Sequence, residues 1–186
     1  MEALLKPLET FALYAESVEH PHLTLNAERQ AWGRDWLAAR KLIAPVLAVH
    51  PGSGSPHKNW PLNQFIALIQ ALPRHVTPLL ILGEADAALV APLIQALPDT
   101  PRVTGHTLVE VASVLANCAG YVGNDSGITH LAAALGLPVV ALFGPSNPEH
   151  WAPRGPHVCL IQAPDGKTSE IPLAAVKTAV FQALEK

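Results

Sequence analysis

Short continuous apolar runs alternate along this chain with segments whose apolar residues recur every three to four positions. Residues 45–50, Pro-Val-Leu-Ala-Val-His, form the first such run and stop at Pro51-Gly52. A run that is apolar throughout, rather than alternating, predicts a strand buried on both faces. Pro61 then stands where a first helical residue belongs, and Phe65, Ile66, Ile69 and Leu72 follow at helical spacing up to Pro73. Pro78–Leu82 predicts a second strand, stopped by Gly83. Asp86 is placed to cap a helix carrying Leu89, Val90, Leu93, Ile94 and Leu97, and Pro92 inside it is expected to kink or split it. Arg102–Thr104 is a weak third strand. Thr107 with Glu110 three residues on forms a capping box, opening a helix with Leu108, Val111 and Leu115 on one side. Tyr121-Val122 belong to a fourth strand, residues 127–135 to a helix ended by Gly136, and Pro138–Phe143 to a fifth strand. Val158–Ile161 reads as a sixth strand, and Pro172 opens a C-terminal helix bearing Leu173, Val176, Val180 and Leu184.

About five rounds of strand, loop and helix demand crossover connections, hence a mainly parallel sheet covered on both faces. The predicted fold class is α/β, a Rossmann-like doubly wound sheet. Residues 1–44 differ. Two helices are expected there, around Leu4–Ala15 and Glu28–Lys41, separated by His20-Pro21-His22. The division that follows is a helical lead-in over 1–25 and one domain over 26–186.

Composition narrows the class. With 186 residues, 49% hydrophobic and 15% charged, the chain suits one compact domain with a sizeable core. A net charge of −3, with no basic block longer than Arg40-Lys41, argues against nucleic acid as a partner. Cys118 and Cys159 suggest neither a disulfide scaffold nor a zinc site, and Cys118 lies in a core-like context. The N-terminal stretch, interrupted by Glu2, Lys6 and Glu9, does not read as a signal peptide, and no apolar run is long enough to span a bilayer. A cytoplasmic setting is expected, with peripheral membrane contact left open.

In open parallel sheets ligands sit beyond the carboxyl ends of the strands. Those ends carry HPGSGSPHKNW, GEAD, TGHT, GNDSG and FGPSNPEHW. The first has the grammar of a phosphate loop: small residues admit an anion to the backbone, and Lys58 can meet its charge. It is neither a Walker A loop nor GxGxxG, so a merely glycine-rich turn is an equal alternative. GNDSGITH admits three readings. The nucleophile elbow fails, because Asn124 and Ile128 stand where glycines are required around Ser126. A metal site fails, because Asp125 and His130 have no further ligands at suitable spacing. A helix start capped by Asp125 or Ser126, with the amides of Ser126, Gly127 and Ile128 turned to an anion, fits best; a plain helix cap is the bland alternative. His130 is either a ligand contact or a core histidine satisfied by a carbonyl. Glu84 and Asp86 stand where ribose-holding acids commonly lie, with Asp86 equally readable as a cap alone. His20, His22, His75 and His157 read as surface.

The two stretches HPGSGSPHKNWPLNQFIALI and GNDSGITHLAAALGLPVVALFGPSNPEHWAPRG together resemble the C-terminal half of the ADP-heptose:lipopolysaccharide heptosyltransferases, glycosyltransferase family 9. The shared order is a strand, HPG, a short loop, Lys and Trp-Pro, then N-D-[ST]-G-x-x-H, a small-residue helix and a strand ending in [FY]-G-P, over about residues 22–185. The resemblance implies one half of a GT-B fold and a donor-binding domain for a nucleoside-diphosphate sugar, an ADP-sugar or another. By resemblance Lys58 contacts phosphate or sugar, with Ser53 and Gly54 beside it, and Glu84 holds the ribose. The turn containing His106 and Thr107 borders the nucleobase. Asp125 faces the sugar, the amides of Ser126, Gly127 and Ile128 hold the diphosphate, and His130 belongs to the same motif. The implied reaction is inverting, independent of a metal and of any cofactor, and part of lipopolysaccharide or cell-surface glycan assembly. The catalytic base and acceptor site are expected in an N-terminal domain or partner chain, with residues 1–25 as the connection, so that this chain alone is catalytically incomplete. The acceptor would bring the enzyme to the cytoplasmic face of the inner membrane. The rival readings are a non-catalytic nucleotide-sugar-binding module and half of a sugar-nucleotide epimerase. A departure from many heptosyltransferases is that Cys159 stands alone, without a cysteine-rich insertion.

Overall fold

The computed structural model describes residues 20–42 and 45–185, so the helix expected around Leu4–Ala15 lies outside the described residues. Six strands form one parallel sheet in the order β3-β2-β1-β4-β5-β6: β1 Val46–His50, β2 Thr77–Ile81, β3 Arg102–Val103, β4 Gly120–Asn124, β5 Val139–Phe143 and β6 Val158–Gln162. Helices α1 Ala27–Ala39, α2 Leu62–Gln70, α3 Ala87–Ala96, α4 Leu108–Leu115, α5 Gly127–Ala134, α6 Pro148–Trp151 and α7 Leu173–Leu184 connect and flank them. The chain runs outward from β1 to β3, then crosses back to place β4 on the other side of β1. That reversal opens a crevice between the carboxyl ends of β1 and β4, where His50 pairs with Gly123.

The central strands β1, β4 and β5 are buried along their whole length because both faces are covered, whereas the edge strand β6 is partly exposed. Leu47 and Val49 point into a cluster with Trp60, Phe65, Leu68, Val176 and Val180, from the α2 and α7 side. Val46 and Ala48 point the opposite way, to Trp36, Leu37, Val111, Val114 and Ala132 from α1, α4 and α5. Burying each large apolar side chain of this kind stabilises by about 1.5–3 kcal/mol. Gly33 lets α1 lie directly on α4, since a Cβ there would overlap the carbonyl of Ser113. Trp60 anchors the loop after β1: its indole is fully buried, meets Phe65 edge-on at 5.0 Å and donates Nε1–H to the Ile171 carbonyl at 3.0 Å.

Three local expectations are corrected. Helix α3 runs in one piece from Ala87 to Ala96 across Pro92, so of the two expected outcomes, a kink or a split, the split is excluded. Pro92 removes the N–H that would bond the Ala88 carbonyl; both residues are exposed, so water can meet that carbonyl instead. Asp86 stands at the start of α3 but makes no side-chain cap to it; its Oδ2 instead accepts the Gly83 N–H at 2.7 Å. The third strand is also shorter than expected, ending at Val103 with Thr104 exposed.

Candidate functional site

The sequence places polar residues at the ends of otherwise apolar strands, and the fold buries them there. His50, the last residue of β1, is 4% exposed, and Asn124, the last of β4, is fully buried. A buried amide must satisfy several hydrogen bonds. Asn124 does so across the crevice: its Oδ1 accepts the Trp60 N–H at 2.8 Å, and its Nδ2 donates to the Pro51 carbonyl at 2.8 Å. One side chain thereby ties the loop after β1 to the end of β4.

Helix α5 begins just beyond. Ser126 is its cap, with Oγ and carbonyl both facing the Thr129 N–H at 3.4 and 3.1 Å. Thr129 is buried and reaches back to the Asn124 carbonyl and to the Tyr121 hydroxyl, the latter at 2.9 Å. Burial pushes the Tyr121 phenol above its ordinary value, outweighing its hydrogen bonds to Thr129 and Ser126. The amides of Ser126, Gly127 and Ile128 donate to no protein acceptor among the described residues, and an eight-residue helix lends them its dipole.

Asp125, 8% exposed, accepts from Lys58 Nζ at 2.7 Å. The carboxylate expected to repel an anion is therefore balanced by the lysine expected to attract one. The loop between them is shaped by Ser53, whose Oγ lies 2.7 Å from both the Ser55 carbonyl and Asn59 Oδ1 and can donate its one proton to either.

At the β2 end, His50 Nδ1 donates to the Ile81 carbonyl at 2.8 Å, and Asp86 Oδ2 lies 3.8 Å from the same nitrogen. Asp86 is 3% exposed and occupies the space where a Cβ on Gly52 would stand. Gly52 is thus required by the close approach of a carboxylate. At the β3 end, Trp36 Nε1 donates to His106 Nε2 at 3.2 Å, and both Trp32 and Trp36 pack edge-on against the His106 ring. The Thr107 backbone N–H, its hydroxyl and His106 hold the Glu110 carboxyl below its ordinary 4.5.

Two adjoining cavities open between these loops. One, about 420 Å³, is walled by Val103, Leu108, Val111 and Ile128 and edged by Glu84, His106 and Thr107. The other, about 320 Å³, is walled by Ser53, Gly54, Ser126 and Gly127. His50, Gly83, Glu84, Leu108 and Ile128 line both. An apolar slot beside an amide-lined notch suits a flat ring joined to an anion.

Nine of the residues singled out from the sequence meet here: Ser53, Gly54, Glu84, Asp86, His106, Thr107, Ser126, Gly127 and Ile128. Lys58 and Asp125 pair beside the cavities without lining them. His130 is exposed and lines neither, which corrects its reading as a core histidine: Thr129, one position earlier, is the residue that turns inward. His50, Asn124 and the clamp made by Asp86 on Gly83 were not anticipated. The available signal was a lone polar residue closing an apolar strand run, Val-Leu-Ala-Val-His and Tyr-Val-Gly-Asn.

The family profile described as glycosyltransferase family 9 (heptosyltransferase) matches residues 8–172. Among curated relatives, lipooligosaccharide heptosyltransferase 2 of Haemophilus influenzae is 31% identical over 162 residues, 81% of this chain and 47% of the relative. Among solved structures, a glycosyl transferase family 9 protein of Veillonella parvula superposes with a TM-score of 0.86 at 23% identity, covering 99% of this chain and 59% of that one. E. coli ADP-heptose lps heptosyltransferase II superposes at 0.79 and 24% identity, covering 92% and 56%. The chain spans about half the length of the curated relatives it matches. It belongs to glycosyltransferase family 9, the heptosyltransferase family.

Proposed function

We propose that this chain is the donor-binding part of an inverting glycosyltransferase of the heptosyltransferase type, acting in lipopolysaccharide or related surface-glycan assembly. The observation that carries the reading is the junction of the two cavities at the β1–β4 crevice. The apolar slot takes the nucleobase, with His106 and Thr107 at its edge. Glu84, on the wall common to both cavities, accepts from the ribose hydroxyls. The notch takes the diphosphate on the amides of Ser126, Gly127 and Ile128, beside the Ser53-Gly54 loop. The relative whose title names ADP-heptose makes an ADP-sugar the first donor to test.

The chemistry is displacement at the anomeric carbon with the nucleoside diphosphate leaving. Negative charge grows on the bridging oxygen in the transition state, and preoriented amides at a helix start meet it without reorganising. Lys58 turns from Asp125 to the sugar phosphate, so the pair holds the lysine in place before donor arrives. The base that takes the acceptor's proton is supplied by an N-terminal domain or partner chain, and no residue described above is assigned that role. The reaction assigns no step to a metal or cofactor. Peripheral contact with the inner membrane comes through the acceptor.

The test is Lys58→Ala. It should weaken ADP binding about ten- to a hundredfold, the scale of one charge-assisted hydrogen bond, and leave adenosine binding within about twofold. Calorimetry showing equal losses for both ligands contradicts the phosphate role.

A further inference from the structure

The two cavities present an anion with an unfavourable charge count. Among the described residues no lysine or arginine lines either of them, while Glu84 lines both and Asp86 one. Lys58 is paired with Asp125 at 2.7 Å, so turning it to a phosphate leaves that carboxylate uncompensated and the local charge sum unchanged. A nucleotide-sugar diphosphate brings two more negative charges. Amide dipoles offset part of that, but the linings hold only two groups able to become cationic, His50 and His106.

The two imidazoles are held differently. His106 has both nitrogens engaged: Nε2 accepts from the Trp36 indole, and Nδ1 faces Glu110 Oε2 at 3.5 Å. A proton added at Nε2 would oppose the indole N–H. His50 has its Nδ1–H fixed by the Ile81 carbonyl, which leaves Nε2 as the acceptor of the neutral ring. Among the described residues no protein group bonds that Nε2. No buried side-chain nitrogen or oxygen among the described residues lacks a partner, so this one is reached from the cavities that His50 lines. Of the lining residues common to the base slot and the anion notch, His50 is the one that can become cationic.

We infer that His50 takes up a proton from solvent as the donor diphosphate binds, and that the resulting imidazolium donates Nε2–H to a phosphate oxygen. This rests on the nucleotide-sugar reading above. The ring passes from neutral to +1 while Nδ1–H stays on Ile81. Asp86, 3.8 Å from Nδ1, is a positioning residue: its carboxylate favours the cation from behind while the phosphate favours it from in front. The other ionisable groups around the ring are Glu84 on the same turn as Asp86, His106 across the slot, and the Lys58–Asp125 pair beside the notch. Tyr121, on the adjoining strand, keeps its proton because burial raises its phenol.

ADP-glucose is the probe, because its diphosphate diester does not titrate near neutrality and so adds no protons of its own. Calorimetry of the full chain in buffers of low and high ionisation enthalpy should show net proton uptake, up to one per site, and affinity about three- to tenfold higher at pH 6.5 than at pH 8.5. His50→Gln keeps an N–H donor that cannot titrate. It should bind within about tenfold of the parent, with proton uptake and pH dependence gone. His106→Gln should retain uptake whatever its affinity. Should the His50 variant fail to fold, Asp86→Asn carries the test and should reduce uptake at pH 7.5. Binding without proton uptake by the parent chain, undiminished uptake in His50→Gln, or undiminished uptake in Asp86→Asn overturns the inference alone. No binding of ADP-glucose at either pH overturns the nucleotide-sugar reading together with it.

Discussion

The two ends of the sheet offer hollows of nearly the same size. At the carboxyl ends lies the slot of about 420 Å³; at the amino ends of β5 and β6 lies a groove of about 400 Å³ bordered by Pro138, Val158, Cys159, Ala179 and Gln182. What separates them is the chemistry beneath. Of the buried polar residues described, His50, Asp86, Asn124, Asp125 and Thr129 all cluster at the carboxyl ends. None lines the amino-end groove. Burying a polar side chain is unfavourable unless its hydrogen bonds are met. Here each of the five meets backbone or an opposite charge; His50, Asn124 and Asp125 thereby fix one segment against another, while Asp86 and Thr129 fix their own turns. The difference teaches that the crevice is built before any ligand enters it, whereas the groove at the other end is a gap between helix α7 and the sheet edge.

Breaking that construction should cost most where one side chain joins two loops. Asn124→Ala leaves the Trp60 N–H and the Pro51 carbonyl without their partner in a buried place. We expect about 2–4 kcal/mol of destabilisation, read as a melting temperature lower by roughly 5–10 °C. Gln182→Ala at the opposite groove removes an exposed side chain and should stay within about 0.5 kcal/mol. Equal melting temperatures for the two variants would remove the distinction between the ends.

A smaller effect sharpens the same contrast. Cys118 donates to the Val114 carbonyl, and burial pushes its thiol up to about 12, so it stays protonated at pH 8. Cys159 is exposed and borders the amino-end groove. A thiol reagent at pH 8 should therefore label one cysteine per native chain, Cys159, and two after denaturation. The labelled chain should bind ADP as the unlabelled one does. Labelling of Cys118 in the native chain, or loss of ADP binding on modifying Cys159, would contradict this arrangement.

How much was legible in the sequence follows from how far apart the partners stand. The capping box of Thr107 and Glu110 and the cap at Ser126 involve residues three apart, and both form as the spacing predicts. The strand runs fixed a parallel sheet, because continuous apolar strands have nowhere to go but between two layers of helices. The roles of His50 and Asn124 were not legible. Their partners Ile81 and Trp60 lie 31 and 64 residues away, and only the order of strands brings them together. The Lys58–Asp125 pair spans 67 residues for the same reason. Sequence alone leaves each residue with its own loop, as an anion contact or a sugar contact, whereas the fold first gives it to the other. Asp86 shows the local version of the error. A carboxylate before a helix reads as a cap, but the close approach allowed by Gly52 and the open Gly83 amide turn it inward instead.

The central claim is that the donor lies across the carboxyl ends of β1, β2 and β4. Backbone amide resonances followed during titration with ADP test it most directly. The account predicts the largest shifts at Gly52–Ser55, Gly83-Glu84 and Ser126–Ile128, with Val158, Cys159 and Gln182 unmoved. Shifts concentrated at those last three residues, or saturating ADP with no shifts at the first set, would contradict it.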